Sequence, residues 1–141
     1  MTVSDTDRVR LIFHGAIVLL TGLLSGLPTV VESLNESSRV WHTAHEALIL
    51  MGVWMLAASS VAPVLTLPGR ERAAWVGAHL LMGYGFAVAL VLGGVVGVSP
   101  FSPGDTPASV VAFIAAMIGI FGAVVAAVFT IRGARAAKSA H

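Results

Sequence analysis

Along the chain, four long apolar runs alternate with short polar or breaker-rich stretches. The runs cover residues 10–31, 42–64, 74–98 and 108–131, give or take a few at each end. A bilayer core about 30 Å thick needs roughly 20 helical residues at 1.5 Å each, so each run predicts a membrane-spanning helix. The separators support these boundaries. Glu32 to Arg39 includes Asn35, Glu36, Ser37 and Ser38, and Leu67-Pro68-Gly69-Arg70-Glu71-Arg72 reads as a tight charged turn. Ser99 to Pro107 carries three prolines, a glycine and Asp105. Proline lacks the amide donor and resists helix continuation. The expected fold is all-α: one membrane domain over residues 1–141, a bundle of four transmembrane helices.

Composition sharpens this picture. At 57% apolar and 11% charged residues, with mean hydropathy +0.91, the chain is too hydrophobic for a soluble domain. The absence of cysteine excludes disulfides, thiolate nucleophiles and cysteine-ligated metals. A net charge of +1 with no basic tract offers nothing to nucleic acid. The first run has the length of a span and lacks a persuasive small-x-small cleavage site, so it reads as a retained helix rather than a signal peptide.

Charge asymmetry sets the expected topology. Arg8, Arg10, Arg70, Arg72, Arg132, Arg135 and Lys138 fall on one side and Arg39 alone on the other. This positive-inside pattern puts both termini in the cytoplasm, in a multi-pass integral protein of a bacterial-type inner (plasma) membrane. The Asn35-Glu36-Ser37 sequon has no weight outside a secretory eukaryotic setting. Gly22-x-x-x-Gly26 signals close helix packing, within or between chains.

Ionisable groups inside a membrane are costly, which singles out the few present. The second run opens Trp41-His42-Thr43-Ala44-His45-Glu46. A neutral His45 can ligate a metal or haem iron, and a protonated one can pair with Glu46. Alternatively His45 simply bonds a neighbouring carbonyl, while His42 and Glu46 are hydrated at the interface. His14 and His79 share a depth near the cytoplasmic side. They either meet across the bundle or each bond a carbonyl of the next helix. His141 is terminal. Asp105 is placed to cap the fourth helix. Tyr84 lies mid-span and needs a hydroxyl partner, and Met51, Met55 and Met82 are soft groups whose usual role is packing. There is no His-Glu-x-x-His zinc motif, phosphate loop or nucleophile elbow.

These residues carry a resemblance. Trp41-x-x-Ala44-His45, five residues, Met51-Gly52 and then Pro63 resembles the second helix of styrene oxide isomerases, where the pattern is Trp-x-x-Ala-His, five residues, Asn-Gly, then Pro. His14-Gly15 is similar to the family's His-Gly opening of helix one. Phe101-x-Pro103-Gly104-Asp105 is similar to its Phe-Gly-Pro-Gly-Asp before helix four. The related hydroxylaminobenzene mutases share the four-span plan, and Tyr84-Gly85 looks like the Tyr-Gly of that branch. The similarity covers most of the chain through short motifs in conserved order and spacing.

The resemblance implies a homotrimer with a haem b at each protomer interface and the iron ligated by His45, with Trp41 beside it. Ferric iron would act as a Lewis acid. In the isomerases it binds the epoxide oxygen, assists cleavage of the benzylic C–O bond and permits a 1,2-hydride shift to the aldehyde. In the mutases an aryl hydroxylamine becomes an aminophenol. Both reactions are redox-neutral and leave one iron position open. The substrate would be small and hydrophobic, and would arrive through the lipid bilayer. Met51 and Tyr84 are the residues expected at the reaction site. Met51 stands where the family has a substrate-orienting Asn, and a thioether cannot donate a hydrogen bond. The family's helix-three Asn and Tyr have no clear equivalents around Ala87 to Val91. Two other readings remain: a non-isomerising haem protein for electron transfer, haem handling or sensing, and a structural membrane subunit without cofactor.

Overall fold

The computed structural model describes residues 5–31 and 36–139, so Asn35 of the sequon and His141 lie outside the described residues. The elements are α1 (Asp5–Ser25), α2 (Leu27–Val31), α3 (Glu36–Val61), one 3-10 turn (Ala62–Val64), α4 (Gly69–Val96) and α5 (Pro107–Lys138). Four helical segments are long and apolar enough to cross a membrane: Asp5–Val30, Arg39–Val64, Gly69–Val96 and Pro107–Lys138. All four expected spans are present.

Their ends run past the apolar runs. α1 begins at Asp5 rather than near residue 10, and α5 continues to Lys138. Hydropathy stops where the lipid stops, but the helix does not. Asp5 and Asp7 sit in the first turn of α1, and Arg135 and Lys138 in the last turn of α5. Each charge opposes the helix-dipole end nearest it and favours continued winding.

Two local features differ from expectation. The first span is not one helix: Gly26 interrupts it, with Pro28 following. Asp105 does not cap α5. Thr106 does, accepting from Ser109 N–H at 3.2 Å while Ser109 Oγ accepts from Thr106 N–H at 3.1 Å. The reason lies in Pro107, whose fixed φ suits the first helical position and makes its predecessor the cap. At the other side of this loop, α4 ends on Gly97 with φ +70°, where only glycine escapes strain.

The helices pack as two pairs, α1 with α3 and α4 with α5, joined by α3 and α1 against α4. Leu11, Val18, Leu48, Met55, Trp75, Met82 and Leu90 form the shared core. The Gly22-x-x-x-Gly26 contact falls within the chain. A Cβ on Gly22 would come within 2.6 Å of the Ile49 nitrogen, so α1 and α3 touch backbone to backbone.

Charge segregates to the two ends. One end gathers the start of α1, the end of α3, the start of α4 and the end of α5. There Arg72 pairs with Asp7 at 3.2 Å, Arg132 with Glu71 at 2.6 Å, and Arg8 Nε donates to the Ser59 carbonyl at 3.3 Å. The loop before α4 crosses α5 at this end, with Thr66 N–H on the Gly133 carbonyl at 3.2 Å. Arg39, His42, Glu46 and Asp105 lie at the other end.

A candidate site at a backbone-anchored imidazole

The interruption in the first span creates the chain's most distinctive polar contact. In an unbroken helix the Gly22 carbonyl would accept from the Gly26 amide. Here Gly26 N–H turns to the Leu23 carbonyl at 3.2 Å, and Pro28 has no amide with which to continue the ladder. The released Gly22 carbonyl accepts instead from Ser25 Oγ at 2.8 Å and from His45 Nδ1 at 2.8 Å. Since a carbonyl can only accept, Nδ1 carries the proton, and in the neutral ring Nε2 is a bare lone pair. Nε2 has no hydrogen-bond partner among the described residues.

Gly26 makes this geometry possible in a second way. A Cβ there would lie 2.6 Å from His45 Nδ1 and 2.9 Å from Cε1, so the ring rests on the Gly26 backbone. The imidazole is therefore clamped between a carbonyl and a side-chain-free Cα, and is half-buried. Such an arrangement is how metal-binding histidines are commonly held: one nitrogen fixes orientation and tautomer, and the other is left for the ion. The donor set fits a group that would be held through one imidazole nitrogen.

Trp41 sits one turn before His45 on α3. Its ring packs on α4, where a Cβ at Gly94 would come within 2.8 Å of it. With Thr21, Leu24, Ser25, Pro28 and Val91 it lines a cavity of about 240 Å³. Trp41 and His45 thus flank the same α1–α2 break. His42 and Glu46 do not join them. They form an exposed pair at 3.4 Å, with side chains 64% and 69% accessible.

Met51 and Tyr84, the two residues expected at the reaction site, are not in contact with His45 within the chain. Met51 is half-buried and packs against the core. The Tyr84 hydroxyl is 2.6 Å from His14 Nδ1, and the two rings meet edge-on at 5.6 Å between centroids. His14 and Gly22, the α1 partners of Tyr84 and His45, are about 12 Å apart along that helix. Tyr84 also lines an open, apolar groove of about 570 Å³ between α4 and α5, with Leu81, Gly85, Val88, Ala115 and Ile118 among its walls. His14 and His79 are not bonded to each other. His14 takes Tyr84, and His79 Nδ1 donates to the Trp75 carbonyl of its own helix at 2.8 Å. Among the described residues no cluster of three or more His, Asp or Glu side chains could hold a metal ion.

Sequence reasoning singled out His45 but missed its anchors, Gly22 and Gly26. The available signal was Gly26 with Pro28 inside an otherwise apolar run, a pairing that breaks helices and frees carbonyls.

Residues 7–135 match the family model described as styrene oxide isomerase, and the chain belongs to that family. No curated protein and no solved structure matches it. The family and the fold together describe an isomerase-like membrane protein.

Proposed function

We propose that this member of the styrene oxide isomerase family is a redox-neutral isomerase or mutase. Its substrate would be a small hydrophobic epoxide, converted to an aldehyde, or an aryl hydroxylamine, converted to an aminophenol. The observation that carries the proposal is the His45 imidazole, held by the Gly22 carbonyl so that Nε2 remains a free lone pair. His45 would ligate haem b through Nε2, and Trp41 would flank the ring. Bound there, the haem iron supplies Lewis acidity toward an epoxide or hydroxylamine oxygen without net electron transfer.

The chain's own residues would do the rest by exclusion and orientation. Rearrangement of an epoxide to an aldehyde moves hydrogen within the molecule, so it requires no external proton donor. What it requires is the exclusion of water, which would otherwise add to the opening carbon. The apolar surroundings supply this: Leu24, Pro28 and Val91 line the cavity beside Trp41. Met51 has only a weak acceptor to offer, so substrate orientation falls to shape more than to hydrogen bonding.

The proposed assembly is a homotrimer with the haem shared between copies, and the size of the cavity supports a shared site. The cavity beside Trp41, at about 240 Å³, is below the roughly 300–1,000 Å³ typical of pockets for drug-sized ligands, and a porphyrin needs more. The remaining walls would come from neighbouring copies. The seven basic residues from Arg8 to Lys138 at one end support cytoplasmic termini in a bacterial-type inner membrane.

The test is an absorption spectrum of the purified protein, oxidised and reduced, beside His45→Ala. The expected result is a haem Soret band in the wild type that is lost in the variant. Full haem loading of His45→Ala would overturn the ligand assignment. A spectrum of two tight axial ligands would favour an electron carrier over an isomerase.

A further inference from the structure

A second imidazole, on α4, has the same tautomer and a different setting. His79 is 1% exposed, and its Nδ1 proton is committed to the Trp75 carbonyl at 2.8 Å. The Trp75 ring stands edge-on to it, 4.7 Å between centroids. In the neutral ring Nε2 is again a lone pair, without a partner among the described residues. No sealed side-chain nitrogen or oxygen in the described structure lacks a partner. Nε2 is therefore not sealed. His79 lines a cavity of about 160 Å³ bounded also by Trp54, Ala57, Ala58, Val61 and Thr130, and Nε2 is the atom it has to offer there.

The polar inventory of the cavity floor is one-sided. Thr130 Oγ1 has spent its proton on the Ala126 carbonyl at 2.8 Å and already accepts from Trp75 Nε1 at 2.9 Å. It can accept once more but cannot donate. His79 Nε2 can only accept. The floor thus presents two acceptors and waits for a donor. Around it the walls are apolar, and the mouth passes Trp54 and Val61, which are 50% and 44% exposed on the outer surface of a spanning helix. Size completes the description: a cavity of about 150 Å³ is enough to hold benzene.

We propose that this cavity is a binding site for a small phenol-type molecule, entering from the bilayer, with its hydroxyl donating to His79 Nε2 and its ring against Trp54, Ala57 and Ala58. It lies between α3, α4 and α5, with its α3 wall beginning about 14 Å along that helix from His45, which faces α1. The site selects hydrogen-bond donors. Epoxides, ethers and aldehydes carry acceptors alone and would leave the lone pair on Nε2 unanswered, whereas phenols and amine- or hydroxyl-bearing aromatics would satisfy it. The inference does not depend on haem at His45.

The experiment compares 4-fluorophenol with 4-fluoroanisole, the same ring without the donor, by ¹⁹F NMR titration of the full chain in lipid nanodiscs. Empty nanodiscs give the partitioning background. The expected result is saturable binding of the phenol, about fivefold to tenfold tighter than the anisole, as a net hydrogen bond provides. His79→Leu should bring the two ligands to within about twofold of each other. Ala57→Leu fills the exposed rim without touching the His79 bond, and it should weaken phenol binding at least fivefold even if His79→Leu does not fold. Equal affinities in the wild type overturn the proposal. So does a phenol preference that survives His79→Leu, phenol binding unaltered by Ala57→Leu, or no saturable binding, which would mean that the cavity holds water alone.

Discussion

His45 and His79 are the same side chain in the same tautomer, each with Nδ1 on a carbonyl at 2.8 Å. What separates them is the origin of that carbonyl. His79 uses one from its own helix, four residues back, so its orientation needs only α4. His45 uses one from another helix, available only because α1 breaks at Gly26. The first arrangement leaves the imidazole at the floor of a small cavity within the bundle. The second leaves it half-buried at the bundle's flank, beside a cavity too small for a large planar ligand. A local anchor suits a small guest that one protomer can enclose. An anchor that spans helices fixes the imidazole relative to two elements, which suits the larger ligand proposed for it.

The sharpest way to break this contrast is Gly26→Ala. Its Cβ would sit 2.6 Å from His45 Nδ1 and force the ring off the Gly22 carbonyl. Loss of an orienting contact of this kind costs about 10–100-fold in metal affinity. Haem titration of the apo-protein should show that loss, with the His79 cavity unaffected. The reciprocal change is Trp75→Phe. It removes the Nε1 bond to Thr130 and leaves a void where a fully buried indole stood, while keeping the carbonyl that holds His79. Thermal unfolding should report a loss of about 2 kcal/mol, with an unchanged haem spectrum.

Tyr84→Phe probes the third histidine pair, which bridges α1 and α4. An interhelical bond in a membrane contributes about 1 kcal/mol, so unfolding should shift by that amount and the Soret band should stay in place. A moved Soret band would bring Tyr84 to the haem of a neighbouring copy. His42→Ala should do least: its exposed pair with Glu46 should leave both stability and haem loading unchanged within error.

The four spans were legible because lipid imposes length and apolarity on each of them, and prolines mark the loops. His45 was legible because a histidine inside such a run is costly. What could not be read was rotation. In a soluble bundle the buried face declares itself by period, but here Phe121 and Val124 on the outer surface are as apolar as Leu90 in the core. Nothing in the run of residues therefore says that His14 meets Tyr84 rather than His79. Met51 was expected at the reaction site on the strength of its position in a motif; its rotation could not be read from that motif, and within the chain it packs against the core. The cap on α5 was missed by one residue because Asp105 is the stronger acceptor, while Pro107 decides the register.

The partner of His45 is an atom of the main chain. No single substitution deletes a carbonyl oxygen, and the residue bearing it is a glycine with no side chain to exchange. Mutational drift can therefore rewrite the side chains around the imidazole while its orientation persists. On the proposed function, substrate range could change faster than the capacity to hold a cofactor, and a laboratory search for new rearrangements could vary the surrounding positions so long as Gly22, Gly26 and the break at Gly26 are left alone.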